Sequence, residues 1–98
     1  AGVNELLENI LLIADMENGI SLMVMSPEKV VEKCAAKLVR LPGRKGQFTV
    51  LWNHAPLVSV LDAGDIEYET TDGEIKKISV KSGFVEIESN KVSVCVEL

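Results

Sequence analysis

The sequence predicts an all-β domain, an antiparallel sandwich or barrel, preceded by a short N-terminal helix or disordered extension. Three observations carry this. From Ile20 onward the apolar residues recur with a period of two, the spacing that gives a strand one dry and one wet face. Strand-length runs follow one another closely, each stopped by Pro, Gly, Asn or Asp. Apolar residues make up 47% of the chain but aromatics only 4%, so valine, isoleucine and leucine build the core, and that bias favours strands. At 98 residues the chain holds one such core, because two would each be too small.

Residues 1–18 stand apart as an extension and linker. Val3, Leu6, Leu7, Ile10, Leu11 and Ala14 fall at helical spacing, with Glu5, Glu8 and Asn9 between them. A helix this short is marginal in water and must dock or fray. Asp15-Met16-Glu17-Asn18-Gly19 reads as linker, and residues 19–98 are expected to form the β domain.

Ile20 to Met25 is the first strand, stopped by Ser26-Pro27. Val30 to Cys34 and Lys37 to Leu41 read as two strands with a bend between them, and Ala35-Ala36 leave room for a helical turn. Pro42-Gly43-Arg44-Lys45-Gly46 is a turn, since Pro sets φ and Gly permits positive φ. Gln47 to Trp52 is the next strand, Asn53-His54-Ala55-Pro56 a second turn, and Leu57 to Leu61 a strand running up to Ala63-Gly64. Asp65 to Thr70 and Glu74 to Val80 flank Thr71-Asp72-Gly73, and an Asp-Gly step between alternating runs signals a hairpin. Val85 and Ile87 alternate with Glu86 and Glu88, Ser89-Asn90 turns the chain, and Val92, Val94 and Val96 alternate with Ser93, Cys95 and Glu97.

The net charge of −5 repels nucleic acid and anionic lipid, so neither is an expected partner. No apolar run approaches the ~20 residues that a helical span needs. The N-terminus lacks the basic segment of a signal peptide, so a soluble protein facing cytoplasm or an equivalent matrix is expected. Cys34 and Cys95 read as reduced, mostly buried thiols.

Chemistry is sparse. His54 is the only histidine, and no local motif links it to Ser59, Ser82 or Asp62. It reads as a turn residue. His54, Cys34 and Cys95 are too scattered for a zinc site, and the acidic residues lack a calcium-loop pattern. Gly43-Arg44-Lys45-Gly46 has the G-x-x-G form of a nucleic-acid clamp, but its flanks are strands and a structural turn is the simpler reading. The acidic run Asp62, Asp65, Glu67, Glu69, Asp72 and Glu74 reads as a solvated strand face, with docking of a basic partner as the other option. Core packing is the default for Trp52; exposed at a loop, it would instead mark a binding hot spot.

From about Leu22 to the end, four-fifths of the chain, these pieces in this order resemble the N-terminal β-sandwich domain of the F-type ATP synthase epsilon subunit. The carriers are Leu22 to Glu28, Pro42-Gly43, Gly46, Phe48, Val50-Leu51, His54-Ala55-Pro56-Leu57, Ala63-Gly64, and Ser82 to Ile87 followed by Asn90 and Val92 to Val94. The resemblance implies a flattened sandwich of about ten strands and a non-catalytic place in the rotor, without a cofactor. It implies the gamma subunit and the c-ring as partners, with no direct membrane insertion, on the cytoplasmic side of the bacterial inner membrane or an equivalent matrix or stromal face. Gly43, Arg44, Lys45, Gly46 and Gln47 would face the c-ring, and Ser26, His54 and Ser59 the gamma subunit.

Three departures from the family pattern stand out. The family commonly continues into a two-helix domain that inhibits hydrolysis and in some members binds ATP. This chain stops at Leu98, so those properties are not carried over. Gln47 stands where many members carry an acid, beside the basic Arg44 and Lys45, and Trp52-Asn53 replaces a proline-containing step, so neutral hydrogen bonds from Gln47 are expected in place of a carboxylate contact. Residues 1–15 have no family counterpart. Two other classes compete: a small β-sandwich ligand-binding or interaction module unrelated to the synthase, and an enzyme built on His54.

Overall fold

The computed structural model describes residues 19–98. The helix expected over residues 1–15 lies outside the described residues. Eight strands follow in chain order: β1 (Ile20–Met25), β2 (Val30–Gly43), β3 (Gly46–Val50), β4 (Leu57–Leu61), β5 (Gly64–Thr70), β6 (Ile75–Val80), β7 (Ser82–Glu88) and β8 (Lys91–Glu97). The all-β class holds, and the bounds of β1 and β4 are those expected. Among the described residues the strand count is eight, where the family resemblance implies about ten.

Three local expectations are corrected. The two strands and bend expected between Val30 and Leu41 are one strand, β2, of 14 residues. Ala36, inside it, is fully buried and pairs with Ile20 on one side and Thr70 on the other. Ladders on both edges override the weak helical leaning of paired alanines. The bend survives only as a register shift between Ala36 and Leu38. The turn expected over Pro42 to Gly46 narrows to Arg44-Lys45, because Gly43 and Gly46 already face each other in the β2–β3 ladder. Finally, β3 stops at Val50, which leaves Trp52 in a turn and 41% exposed, not in the core.

Strand β2 organises the topology. One group of strands runs β1-β8-β7-β4 and the other runs β3-β2-β5-β6. The first half of β2 pairs with β1, its second half with β3 and β5, and Gly43 at its end meets Leu61 of β4. Both edges of β1 are thereby covered. Every ladder is antiparallel except β1–β8, which is parallel and departs from the wholly antiparallel expectation. A parallel pair needs a long crossover, and nearly the whole domain separates these two strands.

The core lies between the two groups. Ile20, Leu22 and Val24 of β1 and Val92, Val94 and Val96 of β8 are all buried, two residues apart along each strand. Leu61 of β4 joins them on the same side, and Val39 and Leu41 of β2 and Ile66 and Tyr68 of β5 meet them from the other. The period of two seen in the sequence is this inward set.

Candidate functional site

The tip of the β2–β3 hairpin is dense because it lacks side chains. A Cβ on Gly43 would lie 2.8 Å from the Gly46 carbonyl oxygen and 2.9 Å from the Phe48 ring. Gly46 has φ of 125°, a conformation that side chains disfavour. The tip is fastened to the end of β4. The Arg44 amide donates to the Val60 carbonyl at 3.1 Å, and the Asp62 amide donates to the Pro42 carbonyl at 2.9 Å. The Arg44 guanidinium adds an ion pair to Asp62 at 3.1 Å. Lys45 makes no ion pair among the described residues.

Tip and β4 enclose an open groove of about 540 Å³. Gly43, Arg44, Lys45, Gly46 and Gln47 all line it, and so does Ser59, whose hydroxyl donates to the Val60 carbonyl at 3.3 Å. The fold therefore brings Ser59 to the glycine loop. It does not bring Ser26 and His54 together. Ser26 follows β1, where its hydroxyl donates to the Lys29 carbonyl and accepts from the Lys29 amide, both at 3.3 Å. His54 sits in the β3–β4 connection, with its amide donating to the Leu51 carbonyl at 3.1 Å. Its Nδ1 lies 2.7 Å from the Ala55 carbonyl oxygen; a carbonyl only accepts, so the proton is on Nδ1. That ring nitrogen is spent on its own neighbour, and neither Ser59, Ser82 nor Asp62 is among the hydrogen-bond partners of His54.

Two asparagines hold the His54 connection against the β7–β8 turn. The Asn53 amide donates to Asn90 Oδ1 at 2.5 Å, and Asn90 Nδ2 donates to Asn53 Oδ1 at 3.2 Å. Both asparagines have positive φ, 64° and 62°. Asparagine adopts that region more readily than most residues. Since Met25 aligns with Cys95 while Ser21 aligns with Lys91, Ser26 and His54 lie at opposite ends of β8. A strand of that length spans roughly 20 Å.

A row of apolar side chains crosses the outer face at the Ser26 end of β8. Register places Met25, Cys95, Phe84 and Val60 side by side on β1, β8, β7 and β4. Paired residues share a face, and their chain neighbours Val24, Val94, Val85 and Leu61 are the buried ones. Phe84 is 51% exposed and Val60 45%. Sequence reasoning missed this row, though one signal was present. Leu57-Val58-Ser59-Val60-Leu61 barely alternates, and a strand apolar on both faces expects both to be covered.

The other group presents the opposite chemistry. Arg40 pairs with Glu67 at 2.8 Å, Lys77 with the same Glu67 at 3.6 Å, and Lys37 with Glu69 at 3.7 Å. The acidic run is thus largely neutralised within the domain. Farther along β2, Lys76 approaches Glu32 at 3.9 Å. Burial first, and the Glu32 carboxylate second, push the Cys34 thiol up to about 11 against an opposing pull from Lys76. It therefore stays protonated near neutral pH. Both cysteines are free and only half-buried, less enclosed than the sequence suggests.

Residues 19–98 match the family model of the ATP synthase delta/epsilon chain β-sandwich domain. An ATP synthase epsilon chain of Desulfitobacterium hafniense is 43% identical over 82 residues, covering 84% of this chain and 61% of the relative. One of Campylobacter fetus is 41% identical over 80 residues, covering 82% and 62%. The chain spans about three-fifths of the length of these curated relatives. Among solved structures, a chain in the Euglena gracilis mitochondrial ATP synthase OSCP/F1/c-ring assembly superposes with a TM-score of 0.76 at 18% identity, covering 81% of this chain and 51% of that one. A chain in the Tetrahymena thermophila mitochondrial ATP synthase central stalk and c-ring gives 0.69 at 14% identity, covering 81% and 63%.

Proposed function

This chain belongs to the ATP synthase delta/epsilon family through its β-sandwich domain, and on that premise we propose that it is a non-catalytic part of the central stalk, joining the gamma subunit to the c-ring. In that role it passes ring rotation to the catalytic head, coupling proton transport to ATP synthesis. It works at the cytoplasmic face of a bacterial inner membrane, or an equivalent matrix or stromal face, without entering the bilayer. The observation that carries the reading is the asymmetry of the two outer faces. Ion pairs Arg40–Glu67, Lys77–Glu67 and Lys37–Glu69 mark one face, which also carries the exposed Ile75, while an apolar row from Met25 to Val60 crosses the other. A face of that second kind is what a permanent protein contact buries.

Gamma is assigned to the outer face that the apolar row crosses, with Ser26 beside Met25 at one end of β8 and His54 at the other, and with the exposed Trp52 close to His54 as an aromatic anchor. The c-ring is assigned to the hairpin tip from Gly43 to Gln47. Ser59 lies where the two contacts meet, because it shares the groove of the tip. Shaft coupling needs stiffness and complementary surfaces but no reactive group, and the tethered tip and the asparagine clamp both supply stiffness.

The test is co-purification with the gamma subunit and c-ring of the same source by size exclusion at moderate salt. A stoichiometric complex is expected, and a lone monomer overturns the proposal. Site assignment is checked by single cysteines in a background lacking Cys34 and Cys95. Gln47→Cys is expected to crosslink to the ring, and Ser26→Cys and His54→Cys to gamma. The reverse pattern rejects the assignment while leaving the rotor role standing.

A further inference from the structure

We propose that the second edge of β4 is a strand-addition site for an extended segment of a partner protein that carries a carboxylate beside Lys45. One edge of β4 is hydrogen-bonded to β7 along its whole length, from Leu57 opposite Ile87 to Leu61 opposite Gly83. Its other edge has a single ladder pair, Leu61 with Gly43. Within a strand, the amide and carbonyl of one residue point to the same edge and those of the next residue to the other. The Val60 carbonyl and the Asp62 amide both point to the hairpin tip, where they bond Arg44 and Pro42. Val58, two residues earlier, presents its amide and carbonyl to that same edge, where no backbone partner meets them among the described residues.

The makeup of this edge supports the assignment. A monomeric sheet guards its open edges with charge, proline or a bulge. The open edge of β6 does so with Lys76 and Lys77. The five residues of β4, Leu57-Val58-Ser59-Val60-Leu61, include none of these guards. Val58 is 70% exposed, and the edge opens into the groove of about 540 Å³ beside Lys45, Gln47 and Phe48.

Charge selects the occupant. In a chain of net charge −5 this groove has a basic mouth. Asp62 answers Arg44, and Lys45 is left without an ion pair among the described residues. An extended segment on β4 satisfies Val58 with its backbone, sets alternate apolar side chains against Phe48 and Val58, and brings a carboxylate to Lys45. Lys45 and Gln47 also belong to the tip assigned to the c-ring, but the peptide test is made on the chain alone, so its failure and that of the rotor reading are distinguishable.

The test is amide hydrogen exchange on the 98-residue chain, alone and with the capped peptide acetyl-Glu-Val-Thr-Val-Thr-Val-amide. In the free chain the Val58 amide is expected to exchange at least about tenfold faster than that of Ser59, which faces β7. The peptide is expected to bind saturably and to slow Val58 and Val60 while leaving Ile75 on β6 unchanged. Lys45→Glu is expected to weaken binding about fivefold, as is lysine in place of the peptide glutamate. Equal protection of Val58 and Ser59 in the free chain overturns the proposal. So does an absence of saturation up to about 1 mM, the weakest affinity worth calling specific here. Undiminished binding of a peptide N-methylated on its β4-facing amides overturns it too. Protection of Val58 that rises with protein concentration alone assigns the edge to a second copy and also overturns it.

Discussion

The hydroxyl of Tyr68, on β5, donates a 2.6 Å hydrogen bond to the Glu32 carboxylate on β2, across a sequence separation of 36 residues. The Tyr68 side chain is otherwise buried in the core, and Glu32 is also approached by Lys76 on β6. This contact lets a large aromatic side chain fill the core while its polar end remains satisfied at the rim. It also ties the first half of β2 to the β5–β6 hairpin.

Tyr68→Phe removes that bond and leaves the packing intact. Hydrogen bonds to charged groups are the stronger kind, so the expected cost is about 1.5 kcal/mol. For a domain of this size that lowers the melting temperature by roughly 6–12 °C. An unchanged melt shows that water or Lys76 satisfies Glu32 equally well.

Cys34 makes stability fall at alkaline pH. Burial and the Glu32 carboxylate raise its thiol from 9.0 to about 11. The unfolded chain therefore loses this proton first. The contribution is fully present below about pH 9 and is lost as pH rises toward about 11. The stability gap between the native chain and Cys34→Ala is expected to narrow over that window, as followed by urea titrations at successive pH values. A constant gap rejects the argument. Alkylation of Cys34 by iodoacetamide at pH 8 is expected to be slow for the same reason.

Gly83 and Gly43 are required by close approach, since neither has positive φ. A Cβ on Gly83 collides with the Cys95 carbonyl oxygen and lies 3.3 Å from the Val96 Cα, both backbone atoms. On Gly43 it meets the Gly46 carbonyl oxygen at 2.8 Å and the Phe48 ring at 2.9 Å, a milder overlap than the one at Gly83. Gly83→Ala is expected to cost about 2 kcal/mol and Gly43→Ala about 1 kcal/mol. Thermal melts give the order, and equal or negligible losses contradict it.

Phe84 and Val60, opposite one another on β7 and β4, separate folding from binding. Both are about half exposed, so Phe84→Asp and Val60→Asp are expected to shift stability by no more than about 0.5 kcal/mol. Against gamma each is expected to weaken binding by about 2 kcal/mol, roughly thirtyfold. Arg40→Ala, on the charge-paired group, is expected to leave gamma binding unchanged. Calorimetry of the three variants with gamma decides it, and an Arg40 effect equal to that of Phe84 places the contact on the wrong face.

Much of this was legible because it is local. The alternation in β7 and β8, the Asp72-Gly73 turn and the glycine tip each follow from dihedral preferences and side-chain period. Ala35-Ala36 misled because a pair of alanines carries no strand signal; their state depends on β1 and β5, far away in the chain. Trp52 misled because burial is a property of the assembled fold, and β3 ended two residues before it. Of the candidate residues, the glycine loop was readable as a unit, and the union of Ser59 with that loop was not.

The all-β class, the inward set and most turns are written in the chain itself, because a period of two, the backbone freedom of Gly and Asn and the fixed φ of Pro act within a few residues. The chain also carries the family likeness, which resides in the order of those same local pieces. The assembled fold alone makes β1 and β8 parallel, pairs charges on one outer face while an apolar row crosses the other, and leaves one edge of β4 largely unpaired among the described residues. Those properties are relations between strands distant in the chain, and no local preference encodes which strand becomes whose neighbour.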